Sequence, residues 1–320
     1  MKILETVKDF DQKGVVLTIG NFDGVHLGHI EILSIAKKLA EQKKTSLAAM
    51  TFDPHPAYSL HPQKSPEVLT PLVLKTLLLA ECGIDYLFVL KSSWEFLRLS
   101  PQEFVEEFLI KTIRPSIVVE GTNFNFGCRR SGNVGTLQQF GKENGFEVKV
   151  VPTKQIEVSA GTLTISSTAV RQMISDGNVA DAAIALARPY RLAGHIVSGQ
   201  GRGRQLGFPT ANMNPMKQII PAEGVYAGSV EIGQSAEEVC SSMNRTPSVF
   251  SIGRPKNYGN SGPLMIEAHL LTKNVGDLYG KWMAMDFVNR LRDRQVFKTD
   301  ISLMAQITKD CERARQILGC

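Results

Sequence analysis

The segment from Thr18 to His29 carries two histidines at a spacing that suits phosphate chemistry. His26 and His29 form the pattern H-x-G-H, and imidazole N–H groups can donate to phosphate oxygens as charge builds at phosphorus. The glycines that let a ligand approach this backbone closely are Gly20, Gly24 and Gly28. No lysine or serine follows in the P-loop pattern, so a Walker A site is excluded. Either histidine alone would be an ordinary turn residue, but the pair favours a phosphate site.

This segment connects a predicted strand to a predicted helix. The β-rich run Val15–Gly20 ends just before it, and apolar residues recur with the helical period over residues 30–41. Ligands of open α/β sheets bind at the carboxyl ends of the strands, where the first N–H groups of a helix can contact phosphate. The two histidines therefore lie where a nucleotide is expected.

A second dense segment lies between Gly199 and Asn212. Four glycines and two arginines fall within its first nine residues, a composition that can wrap polyphosphate with backbone N–H groups and guanidinium groups. Thr210 and Asn212 add oxygen ligands of the kind Mg²⁺ prefers. A glycine-rich loop alone is a weak signal and is often only a mobile hairpin.

A third segment, Ile165–Arg171, combines hydroxyl residues with an arginine at the predicted start of a helix. Ser166, Ser167 and Thr168 can cap that helix, and Arg171 lies close to its N-terminus. The arrangement can hold a triphosphate, and an ordinary capping motif would have the same composition.

The first half of the chain alternates predicted strands and helices. Five strands separated by helices indicate an α/β doubly wound parallel sheet of the Rossmann-like kind. The predicted strands are 15–20, 46–52, 86–90, 116–120 and 147–151, and the predicted helices are 30–41, 72–82, 101–110, 134–144 and 169–186.

The pattern changes near Pro189, so we expect a boundary between a first domain, residues 1–187, and a second domain, residues 188–320. The second domain has short β-rich runs separated by glycines, which predict a compact antiparallel barrel. The runs are 190–198, 224–232, 248–253, 264–271 and 282–289. Residues 234–246 are polar and are expected to form a surface loop. An amphipathic helix ends the chain, with one apolar face formed by Ile301, Met304, Ile307, Cys311, Ala314 and Leu318.

Composition restricts the class of protein. The 320 residues are 43% hydrophobic and 21% charged, which suits two globular domains and excludes a disordered chain. The most apolar stretch, residues 72–90, is interrupted by Lys75, Glu81 and Asp85, so no membrane span is expected. The five cysteines are scattered without a C-x-x-C pair, and Glu5 stands where a signal peptide needs apolar residues. We expect a cytoplasmic protein with reduced thiols.

Charge is distributed unevenly between the two halves. Residues 1–187 have 19 basic and 20 acidic side chains, whereas residues 188–320 have 17 and 11. The basic residues lie among glycines and are not interleaved with aromatic ones, so phosphorylated small molecules are favoured over a nucleic acid. The oligomeric state cannot be predicted from these patterns.

The order of the motifs resembles the bacterial bifunctional riboflavin kinase/FAD synthetase family over roughly residues 14–318. H-x-G-H after the first strand is typical of the nucleotidylyltransferase superfamily. The segments that match this particular family are Gly20–Gly24, Thr51–Pro56, Glu120–Gly127, Ile165–Arg171, Gly199–Asn212, Pro221–Ala227, Ile266–Leu271 and Phe287–Phe297.

The resemblance implies two reactions. In the second domain, riboflavin and ATP give FMN, with Glu267 as general base and Mg²⁺ on Thr210 and Asn212. In the first domain, FMN and a second ATP give FAD and pyrophosphate, with His26 and His29 stabilising the transition state.

The resemblance also implies binding residues. Those for ATP in the adenylyltransferase are Gly20, Asn21, Phe22, Asp23, Gly24, His26, His29, Ser167, Thr168 and Arg171. Those for flavin there are Asp53, Asn123 and Phe126. In the kinase, Gly199, Arg204, Gly207, Thr210 and Asn212 bind the phosphates, and Arg292 binds the flavin.

Two departures from the family pattern keep alternatives open. Residues 251–259 replace I-G-x-x-P-T-F, and Asn123 stands where Asp is frequent. One alternative is a single-activity FAD synthetase whose kinase site is inactive because of the changes from Arg254 to Tyr258. The other is a flavin- or nucleotide-responsive binding protein without activity, which would need neither the histidine pair nor Glu267.

Overall fold

The structure is a computed structural model, and it describes residues 1–7, 10–60, 63, 65–199, 201–241, 244–254, 262–272 and 276–320. By packing, the chain divides into two compact units. Unit 1 consists of Met1–Glu67, Lys75–Glu157 and Thr162–Ser166, and unit 2 consists of Val68–Leu74, Val158–Gly161 and Ser167–Cys320.

The strands are numbered in chain order. They are β1 (Lys2–Leu4), β2 (Val16–Ile19), β3 (Leu47–Phe52), β4 (Tyr86–Leu90), β5 (Ile117–Gly121), β6 (Asn125–Phe126), β7 (Gly132–Asn133), β8 (Glu147–Val151), β9 (Gln155–Val158), β10 (Gly161–Thr164), β11 (Tyr190–Val197), β12 (Ala211–Pro215), β13 (Gly224–Gly233), β14 (Thr246–Gly253), β15 (Met265–Leu270) and β16 (Trp282–Arg292).

The α-helices are numbered in the same way. They are α1 (Leu27–Lys43), α2 (Pro56–Leu60), α3 (Leu72–Glu81), α4 (Trp94–Leu97), α5 (Pro101–Phe104), α6 (Val134–Asn144), α7 (Ser167–Ser175), α8 (Val179–Leu186), α9 (Arg202–Gln205), α10 (Ala236–Ser241) and α11 (Asp300–Leu318). A π-helix, Val105–Ile113, continues α5, and residues 128–130 form a 3₁₀ turn.

Unit 1 is built on a six-stranded parallel sheet in the order β1-β4-β3-β2-β5-β8. The central strands β2, β3 and β5 are buried at every position, as expected for a sheet covered on both faces. The predicted doubly wound sheet is confirmed. The sixth strand, β1, was not predicted because three residues are too few to show a period.

Unit 2 is built on a closed antiparallel barrel in the order β11-β12-β15-β14-β13-β16. All five predicted β-rich runs of the second domain are barrel strands. The prediction missed β12, because the polar residues and proline of Ala211–Pro215 mask its alternation.

The predicted single helix over residues 169–186 is wrong: two helices, α7 and α8, take its place. Gly177 has φ +76°, a left-handed conformation that ends α7. The Asn178 side chain then accepts from the N–H of Asp181 and caps α8. Both helices pack within unit 2. The boundary expected at residues 187/188 stays a prediction about domains.

Two further expectations for the second half need correction. The polar stretch 234–246 contains α10, whose Ala236, Val239 and Cys240 are buried against the barrel. Arg191 holds this helix by donating to the carbonyls of Val239 and Cys240, both at 3.0 Å.

The apolar face predicted for the last helix is covered only in part. Cys311 and Ala314 of α11 are buried, whereas Ile301 is 80% exposed because the first turn extends beyond the barrel core. None of the helices in the described part of the chain combines the length and apolar content that crossing a membrane requires.

Candidate active sites

The carboxyl end of β2 lies where the order of the parallel sheet reverses. β3 and β4 continue the sheet on one side of β2, and β5 and β8 continue it on the other. Pairing between β2 and β5 covers Val16–Ile117 and Leu17–Val118 and stops there. The crevice at such a switch point is the usual ligand site of an open α/β sheet.

Glu120 bridges the two diverging strands at this crevice. Its Oε1 accepts from the N–H of Ile19 at 2.6 Å, and the residue is 2% exposed. Burial holds the pKa of Glu120 well above its usual range, and the hydrogen bond from Ile19 opposes this only in part. Burial therefore favours the protonated form of this carboxyl group. Sequence reasoning assigned Glu120 no role, because one glutamate at the end of an apolar strand has no pattern of its own.

The two predicted histidines lie together at the N-terminus of α1. His26 is the N-cap residue, and its Nδ1 accepts from the backbone N–H of His29 at 3.4 Å. A neutral His26 therefore carries its proton on Nε2. The two rings stack at 3.7 Å between centroids and 14° between planes. A Cβ on Gly28 would lie 3.2 Å from the His26 ring, so the glycine of H-x-G-H lets this ring fold back over the helix end.

The loop before the histidines has a strained backbone and a buried anchor. Phe22 and Val25 have φ of +45° and +40°, values that L-residues rarely adopt. Phe22 is 2% exposed, and a Cβ on Gly20 would lie 3.3 Å from its ring. Its ring also meets His29 edge-on at 5.4 Å. Phe22, predicted to bind ATP, is thus a packing residue that supports the backbone and the histidine.

The loop after β3 is connected to this first loop. The Asn21 amide lies 3.1 Å from His55 Nε2, and His55 Nδ1 accepts from the N–H of Ala57 at 3.1 Å. Nδ1 of His55 thus accepts from the loop backbone, and its Nε2 is the ring atom that contacts the Asn21 amide nitrogen. Thr51 Oγ1 donates to the Asn21 carbonyl at 3.2 Å. These contacts fix Asn21, and His55 is a supporting residue that the motif analysis did not single out.

Lys75 is a buried cation beside two predicted site residues. It lies on α3 and is only 6% exposed. Burial lowers the pKa of Lys75, whereas the charges of Asp23 and Asp53 act to raise it. Asp23 is itself buried and Asp53 is exposed at the end of β3. In the sequence, Lys75 is notable only as a charge that interrupts an apolar stretch. In the structure, its ammonium group balances the carboxylates of Asp23 and Asp53, one in each of the two loops.

The aromatic residues after β5 differ in their surroundings. Phe126, predicted to bind flavin, is 7% exposed and packs against Phe104 and Phe124 at 5.6 Å between ring centroids. Phe124 stacks on it at 17° and is only half-buried, and Asn123 is exposed. Phe126 is therefore a core residue, and Phe124 is the ring of this loop that a ligand can reach.

The predicted phosphate clamp forms the first turns of a helix. α7 begins at Ser167, with Thr168 next and Arg171 one turn later. These residues pack as part of unit 2.

In unit 2 a cavity of about 440 Å³ is lined by alternate residues of β14 and β15, by α11 and by part of the glycine-rich loop. Its polar lining includes Thr210, Glu267, Arg292 and Arg294. Thr210 Oγ1 donates to Glu267 Oε1 at 3.5 Å, and Asn212 is the direct cross-strand partner of Glu267. The predicted base and both predicted metal ligands are thus neighbours.

The pKa of Glu267 reflects opposing influences. Burial raises it, whereas the hydrogen bond from Thr210 and the charge of Arg294 lower it. The net pKa is above the usual value, as suits a carboxylate that must take a proton near neutral pH.

Other predicted phosphate ligands lie around the cavity. A Cβ on Gly199 would approach the Asn212 amide nitrogen to 2.1 Å, so only glycine fits beside that side chain. Arg204 and Gly207 are exposed on α9 and the turn that follows. Among the described residues, the loop contributes Gly201, Arg202 and Gly203 to the cavity wall, and Arg204 does not join them.

Arg292, predicted to bind flavin, is held in the cavity wall by α11. Its Nε and Nη2 donate to the two carboxylate oxygens of Asp310 at 3.0 and 2.7 Å, and Nη1 donates to the Asp293 carbonyl at 3.0 Å. This bidentate pair fixes the position of Arg292. In the altered segment Arg254–Tyr258, residues 255–258 lie outside the described residues, so their expected effect on the flavin pocket stays a prediction.

Comparisons with known proteins match both halves of the chain. The family description of FAD synthetase covers residues 8–169, and that of riboflavin kinase covers residues 186–318. The bifunctional riboflavin kinase/FMN adenylyltransferase of Escherichia coli K12 is 36% identical over 100% of this chain and 98% of its own length. The Bacillus subtilis 168 protein of the same description is 32% identical over 95% and 92%.

A solved structure agrees in fold. A Streptococcus pneumoniae protein described as a macrolide-efflux protein has a TM-score of 0.83 at 29% identity, over 98% of both chains. Because the relatives match from end to end and both reactions are in their description, the chain belongs to the family of bifunctional riboflavin kinase/FMN adenylyltransferases, which convert riboflavin to FMN and FMN to FAD with ATP.

Proposed function

We propose that the two reactions are divided between residues 1–187, which adenylylate FMN, and residues 188–320, which phosphorylate riboflavin. The observation that carries this division is that the histidine pair and Glu267 lie in separate compact units. Each half also matches the family description of one activity.

In the kinase reaction, Glu267 takes the proton of the riboflavin 5′-hydroxyl. The hydroxyl oxygen attacks the γ-phosphorus of ATP, the bond from that phosphorus to the β,γ-bridging oxygen breaks, and ADP leaves. Burial and the Thr210 hydrogen bond support this role, because they fix the orientation of the carboxylate. The exposed glycine loop, with Arg204, would cover the phosphates.

Thr210 and Asn212 would hold Mg²⁺ in the kinase site. Their side chains supply neutral oxygen donors one strand away from Glu267, a donor set that suits a cation which keeps several waters and binds substrate phosphates. When bound, Mg²⁺ would neutralise charge on the β- and γ-phosphates.

In the adenylyltransferase reaction, a phosphate oxygen of FMN attacks the α-phosphorus of ATP and pyrophosphate leaves. The nucleophile is already an anion, so no base is required. His26 would donate from Nε2, and His29 and the N–H groups of α1 would stabilise the charge on the α-phosphate. The triphosphate-binding role of Ser167, Thr168 and Arg171, which lie in unit 2, stays a prediction.

On the flavin side of that site we assign Asp53, Asn123 and Phe124. Phe124 takes the stacking role expected of Phe126, because it is the accessible ring of the pair. The cytoplasm is the proposed compartment, since all five cysteines are free thiols.

The test is Glu267→Gln, which keeps the shape of the side chain and removes the base. With riboflavin, ATP and Mg²⁺, chromatography of the flavins should show FMN formation lowered by about 10²- to 10⁴-fold. FAD formation from supplied FMN should match the wild type. Glu312→Gln, an exposed change on α11, is the matched control and should leave both rates unchanged. Equal loss of both activities in E267Q would assign Glu267 to folding, and normal FMN formation would remove it as the base.

A further inference from the structure

The ladder between β12 and β15 ends just before the segment that carries Thr210. Ala211 pairs with Ala268, and among the described residues the pairing does not extend to Thr210 or Pro209. Proline has no N–H, so position 209 cannot donate to a neighbouring strand. Backbone pairing with β15 therefore does not fix this segment beside Glu267.

The side chain of His269 holds the segment at this point. Its Nδ1 lies 2.8 Å from the carbonyl oxygen of Pro209. A carbonyl oxygen can only accept, so Nδ1 carries a proton and is the donor of this hydrogen bond. The His269 ring also meets the Phe208 ring edge-on, at 5.6 Å between centroids and 73° between planes. One side chain of β15 thus contacts the two residues that precede Thr210.

His269 shares a face of the barrel wall with the proposed base. It stands two positions after Glu267 on β15, and residues two apart on a strand point to the same face. Both side chains line the cavity, as do those of Phe208 and Thr210. The hydrogen bond from Thr210 Oγ1 to Glu267 Oε1, at 3.5 Å, therefore lies beside the residues that His269 holds.

The glycine-rich loop also packs against this segment. The N–H of Phe208 donates to the Gly203 carbonyl at 2.8 Å. A Cβ on Gly203 would lie 2.5 Å from the Phe208 carbonyl oxygen and 3.2 Å from Thr210 Oγ1, so only glycine fits there. A shift of the segment would therefore displace both the loop and the hydroxyl that donates to Glu267.

We propose that His269 is a positioning residue of the kinase reaction, which holds residues 208–210 through its Nδ1–H so that Thr210 orients the Glu267 carboxylate. The inference rests on the proposed role of Glu267 as the base. In the reaction the riboflavin 5′-hydroxyl proton moves to Glu267 while the hydroxyl oxygen bonds to the γ-phosphorus and ADP leaves. His269 takes no part in these bond changes.

Two amide substitutions distinguish the ring nitrogens of His269. The asparagine amide nitrogen and histidine Nδ1 are both bonded to Cγ, whereas the glutamine amide nitrogen lies one bond further out, as Nε2 does. His269→Asn should keep the bond to Pro209, and its kcat for FMN formation should stay within about threefold of wild type. His269→Gln and His269→Leu should lower that kcat about 10- to 100-fold, with a smaller change in KM for riboflavin, because Glu267 is misoriented.

A second readout follows the segment itself, in the full chain without substrates. Amide hydrogen exchange of residues 201–212, measured by mass spectrometry, should be about fivefold faster in H269Q and H269L because a hydrogen bond that holds the segment is lost. H269N should exchange at the wild-type rate. Exchange of β16 reports whether the barrel is folded and should be unchanged in every variant. The matched control is His195→Leu, at an exposed histidine of β11, which should alter neither FMN formation nor exchange.

The outcomes separate this proposal from that of the base. Activity kept by H269Q and lost by H269N would assign the effect to Nε2 and overturn the positioning role, as would equal activity in all three variants. Faster exchange in H269L with a normal kcat would overturn it too. An E267Q variant with normal FMN formation would instead overturn Glu267 as the base.

Discussion

Each unit has a glutamate in its candidate site, and the two glutamates, Glu120 and Glu267, differ in burial and in what surrounds them. Glu120 in unit 1 is fully enclosed, and its carboxyl accepts from one backbone N–H, that of Ile19. Glu267 in unit 2 has a hydroxyl donor, Thr210, and a nearby guanidinium, Arg294. Burial raises the pKa of both, and two influences oppose it at Glu267 whereas one backbone N–H opposes it at Glu120.

The difference matches the nucleophiles of the two reactions. A hydroxyl must lose a proton to attack phosphorus, so the kinase site needs a carboxylate that can ionise. The phosphate of FMN is already anionic, so a carboxylate beside it would repel it and a neutral acid would not. The raised pKa of Glu120 thus suits a site for an anionic nucleophile, and the influences that lower the pKa of Glu267 suit a base.

The largest expected effect in unit 1 comes from replacing both histidines. His26→Asn with His29→Asn removes two donors to the α-phosphate and should lower FAD formation from FMN by about 10³-fold or more. FMN formation from riboflavin should be unchanged, measured by chromatography of the same reaction mixtures. His195→Asn, an exposed histidine of the barrel, is the matched control. A loss of both activities would break the division between the two units.

A smaller effect is expected from Lys75→Met. Its ammonium balances Asp23 and Asp53 near the nucleotide loop, and without it those carboxylates repel the triphosphate. FAD formation should fall about 10- to 100-fold, mainly through a higher KM for ATP. Lys142→Met, an exposed lysine of the same unit, should behave as wild type. A normal KM for ATP in K75M would show that Lys75 contributes to packing and not to ATP binding.

The smallest effect on activity is expected from replacing Glu120, a change that tests the comparison of Glu120 with Glu267. Glu120→Gln keeps an oxygen acceptor for Ile19, so both reaction rates should stay within about twofold of wild type. Because the folded-state pKa of Glu120 is raised, its stabilising contribution is complete at low pH and is lost as pH rises above its unfolded pKa.

E120Q has no carboxyl group to ionise, so it does not lose stability in this way as the pH rises. Its melting temperature should therefore exceed that of the wild type by more at pH 8 than at pH 5. A difference that is equal at both pH values would show that Glu120 is ionised in the folded protein. A large loss of FAD formation would instead place it among the reacting groups.

The sequence was most informative where function depends on a local pattern. H-x-G-H could be recognised because it combines a rare residue spacing with the end of a predicted strand, whereas the role of Glu267 came from the resemblance of the motif order to a known family. The barrel strands and the parallel sheet could be predicted from the periodicity of apolar residues along the chain.

The residues that were missed depend on contacts between distant segments. Arg294 lies against Gly253 in the cavity wall, and Lys75 lies beside Asp23 and Asp53, in loops that follow two different strands. Neither relation leaves a spacing in the chain. Phe126 was misassigned because alternation in N-F-N-F does not tell which ring faces the core, and the break at Gly177 was hidden by helix-favouring residues on both sides.

The central claim is that the two reactions occur at separate sites; if FMN made by one chain can be used by another, mixing two inactive variants tests this most directly. E267Q lacks the kinase base, and the double variant His26→Asn, His29→Asn lacks the adenylyltransferase donors. With riboflavin, ATP and Mg²⁺, each alone should form almost no FAD, and an equimolar mixture should form FAD after a lag in which FMN accumulates. A mixture that forms no FAD, although each variant retains its other activity, would contradict the claim.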